Sequence, residues 1–229
     1  MKRMLLGASL LLLEGAAVLG DNVVRISDAD QLIEFSNNVN NGANYSGTTV
    51  LLDSDIDFTG KTSFEPIGKD ENNYFTGIFN GQGHTFSNLV TNSSTYSGLF
   101  GYSHGSTTIR NVIIDDSCTL SGHRVSSSDV YVGEIIAYCY GYNGEVTVEN
   151  CVNMGNITFN GDTTTTYYTE LYIGGICGYA YGYIYTSFIK FCANYGSISG
   201  FWRLSSPYFG GIAGYIEKHT FLIVSITEI

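Results

Sequence analysis

The sequence predicts an all-β protein, a solenoid of the parallel β-helix type with a short N-terminal capping helix. The first observation behind this prediction is a strand signal that recurs four times, as SGLFGY (97–102), GEIIAY (133–138), GGICGY (174–179) and GGIAGY (210–215). The closing tyrosines are 36, 41 and 36 residues apart. A period of this length is typical of a stacked array, in which each unit buries its apolar face only against its neighbours.

The second observation is the composition of the 229-residue chain. It contains 28 glycines and 18 tyrosines but only 2 prolines and 14% charged residues, which favours strands joined by tight turns. Apolar residues make up 44% of the chain, which excludes a disordered protein. The net charge of −11 disfavours a nucleic-acid partner, because phosphate binding requires a basic stripe.

Residues 1–20 are predicted to be a signal peptide. Lys2 and Arg3 precede a short apolar run at 5–13, and small residues at 16, 17 and 20 offer cleavage sites. The run is too short to span a bilayer, so no transmembrane helix is expected. The chain is therefore predicted to be secreted or to lie at the cell surface. Three Asn-x-Ser/Thr sequons are candidate glycosylation sites if the host glycosylates: Asn44, Asn92 and Asn156, with Asn92 in the most loop-like context.

Residues 21–63 are predicted to form an N-terminal cap of strand, helix and strand. Ser27 or Asp28 is expected to begin a helix that runs to about Asn38, and Gln31 follows Asp28 at the spacing of a capping box. The sequence Asn-Asn-Gly at 40–42 ends the helix. A helix in this place would cover the open edge of the first sheet.

Residues 64–229 are predicted to form β-helix repeats. Each repeat divides into three strand-length pieces at glycine and asparagine corners, in the clearest copy 131–138, 145–152 and 156–160, and residues 162–169 are expected to bulge from a corner. The last strand-like segment, 221–227, ends within a coil and no polar cap follows. Either the chain is truncated, which we favour, or the exposed edge associates with another chain edge to edge.

The chain has five cysteines, an odd number for a secreted protein. Cys151 and Cys192 occupy the same repeat position and should stack on successive coils. They are expected to be small buried residues, and an inter-coil disulfide between them is the alternative. Cys139 and Cys177 are expected to point to opposite faces of their strands. No Cys-x-x-Cys pair is present, which argues against zinc and redox motifs.

The repeats resemble the GLUG-motif family. The matching residues are GLFG (98–101) with IRNV (109–112) and LSG (120–122), and GGICG (174–178) with FCANYG (191–196) and ISG (198–200). The lead-in at 50–57, 66–68, 79–84 and 88–89 is also similar, whereas the second copy departs with Glu134 and Ala137 at glycine positions. The resemblance implies a right-handed parallel β-helix on a microbial surface, as in adhesin-like proteins and the stalks of immunoglobulin A peptidases. It implies no catalytic residue.

The sequence therefore predicts an adhesin-like protein that binds an extracellular glycan or protein ligand without catalysis. Four tyrosines expected in the turns after strands are the predicted contact residues: Tyr140, Tyr142, Tyr181 and Tyr183. No cofactor or metal is expected, since the alternating Asp53, Asp55 and Asp57 are better explained as solvated carboxylates.

Two other functions stay open. A polysaccharide hydrolase or lyase would use Asp115 or Asp116, which have His123 and Arg124 nearby and the carboxylates of Glu145 and Glu149 on the next coil. A passive stalk fragment of a larger surface protein would bind no ligand.

Overall fold

Parallel strands dominate the structure, a computed structural model that describes residues 23–62, 64–93, 95–123, 128–160, 169–201 and 207–223. The predicted signal peptide, Arg124 and most of the predicted bulge at 162–169 lie outside these ranges. Within them there is one helix, α1 (Ala29–Asn40). The strands are, in chain order, β1 (Val23–Ile26), β2 (Thr49–Leu52), β3 (Ile56–Asp57), β4 (Phe75–Asn80), β5 (Thr85–Ser87), β6 (Val90–Ser93), β7 (Tyr96–Ser97), β8 (Phe100–Arg110), β9 (Ile113–Ile114), β10 (Thr119–His123), β11 (Val130–Gly133), β12 (Ile136–Gly141), β13 (Val146–Glu149), β14 (Val152–Asn153), β15 (Asn156–Asn160), β16 (Leu171–Gly174), β17 (Cys177–Lys190), β18 (Ala193–Asn194), β19 (Ile198–Phe201), β20 (Tyr208–Gly210) and β21 (Ala213–Ile223).

These strands form four sheets in which every pair of neighbours is parallel. Sheet I runs β1-β2-β4-β8-β12-β17-β21, and β13 also pairs with the long strands β8 and β17. Sheet II is β3-β5-β9-β14-β18, sheet III is β6-β10-β15-β19 and sheet IV is β7-β11-β16-β20. From β8 onward the chain visits sheets I, II, III and IV in that order and then repeats. Each pass of the chain therefore adds a new layer to all four sheets.

The repeat positions predicted from the sequence are in register between passes. Tyr138 pairs with Tyr102 on one side and with Tyr179 on the other, and Tyr179 pairs with Tyr215. One pass of the chain contains more and shorter strands than the three pieces that the sequence predicts. The predicted strand 131–138 is divided between sheets IV and I, because the chain bends between Gly133 and Ile136. The predicted strand 145–152 breaks at Asn150, whose φ of 52° lies in the left-handed region.

The helix α1 closes the N-terminal end of the sheets. Asp28 is its N-cap, and the Asp28 side chain accepts a 2.9 Å hydrogen bond from the backbone N–H of Gln31. On the buried face, Phe35 lies with its ring centroid 5.9 Å from that of Phe75. Asn40 is buried and fixes the helix to the following loop, since its carboxamide accepts hydrogen bonds from the backbone N–H groups of Gly68 (3.0 Å) and Lys69 (2.9 Å).

The five cysteines are all buried free thiols. The candidate disulfide between Cys151 and Cys192 is not formed, and the two residues lie on adjacent layers, where the N–H of Ala193 donates to the Cys151 carbonyl at 3.0 Å. The expectation that Cys139 and Cys177 point to opposite faces is wrong, because their sulfur atoms are 3.6 Å apart in the core. Strict alternation fails since the pairing skips a residue on each strand between Ile136 and Tyr138.

At the other end of the sheets, the strand β21 forms the last described layer of sheet I. Residues 221–223 pair with residues 188–190 of β17, which is where the repeat predicts the second strand-length piece of a coil. Residues 224–229 lie outside the described ranges. Phe221, Leu222 and Ile223 are exposed. Whether this edge associates with another chain stays a prediction.

Candidate functional site

Eight tyrosines form two columns on neighbouring sheets, and we call them the tyrosine ladder. The column on sheet IV contains Tyr96, Tyr131, Tyr172 and Tyr208, and the column on sheet I contains Tyr102, Tyr138, Tyr179 and Tyr215. Within a column, successive ring centroids are 5.0–5.4 Å apart at interplanar angles of 3–21°. Between columns, rings of the same pass meet edge to face at 4.8–5.3 Å. Parallel strands in register place like residues one strand spacing apart, which produces this stacking.

The four tyrosines predicted to bind ligand lie beside the ladder and contact one another; they are the tyrosine patch. Tyr140 lies under Tyr181 with a centroid distance of 5.5 Å, and Tyr142 lies under Tyr183 at 5.3 Å. Along the strands, the rings of Tyr140 and Tyr142 are 5.7 Å apart and those of Tyr181 and Tyr183 are 6.0 Å apart. The structure therefore brings all four predicted residues into one cluster.

Both ends of the patch are covered by other side chains. On the preceding pass, the His104 ring stacks 5.2 Å from Tyr140, and burial lowers the pKa of His104, which favours a neutral imidazole. On the following pass, the Lys218 ammonium lies over the rings of Tyr181 and Tyr183. Since neighbours occupy the ring faces, the patch presents ring edges and hydroxyl groups to solvent.

The predicted location in turns is right for Tyr142, which follows the end of β12, and wrong for the other three members of the patch. The predicted exposure holds for two members. Tyr140 lies within β12, and Tyr181 and Tyr183 lie within β17, because the long strands of sheet I continue past the repeat tyrosine. Tyr142 and Tyr183 are 37% and 45% exposed, whereas Tyr140 and Tyr181 are half-buried. Sequence reasoning missed Tyr185, which is also exposed and which continues the tyrosine alternation of 179–183.

Carboxylates line the ladder on its solvent side. The Tyr172 hydroxyl donates to Glu170 at 2.7 Å, and the Tyr179 hydroxyl donates to Glu217. Near the first rungs, a shallow cavity of about 390 Å³ is lined by three acidic residues together with ladder rings: Asp70, Glu71, Asp129, Tyr96 and Tyr131. Burial, with these carboxylates as a lesser cause, raises the pKa of Tyr96 to about 12. Tyr96 is therefore a neutral hydrogen-bonding group beside an acidic border.

The acidic residues weighed for catalysis are engaged in local contacts. Asp115 caps its own turn by accepting a 2.9 Å hydrogen bond from the Ser117 backbone N–H. Glu149 forms a 3.1 Å ion pair with Lys190, and Glu145 accepts a 2.9 Å hydrogen bond from the Thr147 hydroxyl. Asp116 is exposed on the same turn as Asp115. These contacts cap and pair the strands, and Arg124 lies outside the described residues.

The sequons differ in their surroundings. Asn44 is exposed, and its side chain accepts a hydrogen bond from the Ser46 N–H at 3.1 Å. Asn156 is exposed, but its carboxamide oxygen already accepts hydrogen bonds from the Ser197 N–H (3.1 Å) and hydroxyl (2.6 Å). Asn92 lies in strand β6 and not in a loop, because it pairs with Ser121 in sheet III. All three remain glycosylation candidates.

The described residues contain neither a candidate metal site nor a candidate membrane-spanning helix. In the described ranges, no group of three or more His, Cys, Asp or Glu side chains could hold a metal ion. Among the same residues, no helix has the length and apolar character needed to cross a membrane.

Comparison with known proteins bears on the fold. No model of a known protein family matches the chain, and no curated protein matches it. The chain is similar to the crystal structure of a putative immunoglobulin A1 protease from Bacteroides ovatus, with 19% sequence identity and a TM-score of 0.56 over 90% of this chain. The match spans 65% of the length of that structure. At this identity the likeness concerns the fold alone.

Proposed function

We propose that this chain is a secreted or cell-surface, adhesin-like protein that binds an extracellular glycan or protein ligand without catalysis. The tyrosine patch carries this proposal. Two of its rings are substantially exposed, and rigid phenols held by stacking offer contact area and hydroxyl groups at little cost in conformational entropy. The stacked tyrosine ladder contacts the patch and holds it in place from one side.

The proposal includes a finer description of the fold. We infer that the four parallel sheets wind as a right-handed β-helix and that the chain is related to the GLUG-motif proteins. The order in which the chain visits the four sheets supports a continuous coil. Connections between parallel strands are right-handed in nearly all known proteins, which supports the handedness. A capping helix, a repeat region and an N-terminal signal peptide belong to the same proposal.

Catalysis is the less favoured candidate. The protein of similar fold is described as a protease, but a shared fold does not transfer an activity. In this chain the carboxylates considered for polysaccharide cleavage serve a turn and an ion pair. The passive-stalk candidate would leave the exposed tyrosines of the patch without a role.

The test is a binding assay with the full chain. Saturable binding is measured on immobilised mucin, on host-cell glycans and on an array of extracellular proteins. A double variant, Tyr142→Ser with Tyr183→Ser, removes the two exposed rings of the patch. Tyr195→Ser is the matched control, since Tyr195 is 65% exposed and makes no ring contact in the described residues. We expect saturable binding that the double variant loses and the control keeps.

Absence of saturable binding from a folded sample would refute the binding function and favour the stalk. Equal loss in the double variant and the control would show that the patch is not the contact surface. Circular dichroism of each variant verifies that it remains folded.

A further inference from the structure

The Lys218 side chain covers the face of the tyrosine patch on which no further ring stacks. The Lys218 Nζ atom is 4.7 Å from the ring centroid of Tyr181 and 4.6 Å from that of Tyr183. It also donates a hydrogen bond to the Tyr181 hydroxyl. A cation within about 6 Å of a ring centroid is attracted by the negative face of the ring. The last pass therefore ends the stack with a cation where earlier passes continue it with rings.

The backbone at Lys218 is unusual for the residue that stands there. Its φ of 54° lies in the left-handed region, which is unfavourable for a side chain that carries a Cβ atom. The preceding passes have glycine at this position, since Lys218 pairs with Gly182 and Gly182 pairs with Gly141, and neither glycine has a left-handed φ. Strained positions of this kind are concentrated at functional sites. Here the strained position carries the ammonium group that covers the patch.

The contact between Lys218 and the rings lies at the solvent-exposed surface. Lys218 is exposed, and among the described residues no carboxylate forms an ion pair with it. Exposed cation–π contacts are weak, so an ammonium or guanidinium group from another molecule can compete for the same rings. The surroundings favour such a competitor, because Glu217 lies next to Lys218 in the chain and the net charge is −11.

We propose that the rings of Tyr181 and Tyr183 form a seat for an organic cation, that Lys218 fills this seat in the free protein, and that a lysine or arginine side chain of a protein ligand replaces it. This inference rests on the proposed binding function and narrows its ligand to a protein with a basic segment. A neutral glycan would leave Lys218 in place.

The first experiment uses Lys218→Gly to remove the lysine side chain from this cation seat. The substitution restores the residue of the other passes and removes the backbone strain at this position. Tetramethylammonium chloride and a ten-residue lysine peptide are titrated into the full chain, and the tyrosine ring resonances are followed by NMR. Sodium chloride at equal ionic strength is the control for screening. Removing a competing contact of typical exposed strength should tighten the apparent affinity by about 3- to 6-fold. A triple variant that adds Tyr181→Ser and Tyr183→Ser should lose the response.

If the wild type and Lys218→Gly bind tetramethylammonium and the lysine peptide with equal affinity, the proposed cation seat is refuted. An equal response of the ring resonances to sodium chloride would also refute it. A response that persists in the triple variant would overturn it as well. Failure of the binding function gives a different pattern, because the seat would still respond to tetramethylammonium while no extracellular ligand binds. If a ligand binds saturably and neither Lys218→Gly nor the cations affect it, the seat is refuted and a glycan ligand is favoured.

Discussion

A buried carboxyl group in the second repeat gives the protein a predictable pH dependence. Glu134 stands where the other copies have glycine, at positions 98, 175 and 211. It is only 3% exposed, and its Oε2 atom has no hydrogen-bond partner among the described residues. Burial raises the pKa of Glu134 from 4.5 to about 8, because the charged form cannot be hydrated there. The side chain is therefore protonated in the folded protein at neutral pH.

The sign of the effect follows from the two pKa values. The unfolded chain releases the proton near pH 4.5, while the folded protein keeps it up to about pH 8. Between these values the folded state binds more protons, so rising pH favours unfolding. The stability is fully present below about pH 4.5 and is lost progressively as the pH rises through 8. At 1.36 kcal/mol per pH unit the full loss is about 5 kcal/mol, of which about 3 kcal/mol has occurred by pH 7.

The perturbation is Glu134→Gln, which keeps the shape of the side chain and cannot ionise. Urea unfolding curves are recorded at pH 5, 7 and 9 for the wild type, for this variant and for Glu71→Gln, a control on an exposed turn. The wild type and the control should lose several kcal/mol of unfolding free energy from pH 5 to pH 9, and Glu134→Gln should lose much less. If all three proteins show parallel pH profiles, Glu134 is not the buried titrating group and the reasoning fails.

Three further predictions concern single positions. Gly175→Ala should lower stability by about 1–3 kcal/mol, because its Cβ would lie 2.3 Å from the Asn194 side chain and 2.3 Å from the Gly211 carbonyl oxygen. Gly211→Ala at the same repeat position has open space and should change the urea midpoint little. Phe191→Asn should raise stability by about 1 kcal/mol, since Phe191 has a φ of 56° where the preceding pass has Asn150, and a lower urea midpoint would contradict this. Asp115→Asn should leave ligand binding within about 2-fold of the wild type, because its oxygen caps a turn; loss of a polysaccharide-cleaving activity in this variant would instead establish the enzyme.

The repeat period is the part of the fold that the sequence predicts well. A fixed interval between equivalent residues implies register between parallel neighbours, and the pairing of Tyr138 with Tyr102 and Tyr179 confirms it. The helix is predicted well for a different reason. Asp28 and the apolar spacing of Leu32, Phe35 and Val39 are signals between residues close in sequence. Interactions between residues close in sequence, or between like residues at a fixed interval, leave a pattern that can be read directly.

Corners and side-chain directions are the part that sequence reasoning misses. Alternation predicts facing only along a straight strand, and the bend between Gly133 and Ile136 redirects the residues that follow it. The thiols of Cys139 and Cys177 meet in the core against expectation for a second reason, because the inter-strand pairing is interrupted between Ile136 and Tyr138 and the alternation breaks there. The sequence also does not indicate that Glu134 is buried, because a carboxyl group at a glycine position gives no sign of whether it points inward.

Stacking both builds the tyrosine patch and limits what it can recognise. Sugar rings bind aromatic side chains through open faces, but the faces of Tyr140 and Tyr142 lie between His104 and the next pass. The groups left for a ligand are hydroxyls, ring edges and the single face that Lys218 covers. Hydroxyls and edges suit hydrogen bonds from peptide groups, and the covered face suits a cation. The same in-register repetition that makes the surface rigid therefore supports the proposed basic protein segment, rather than a stacked sugar, as the ligand.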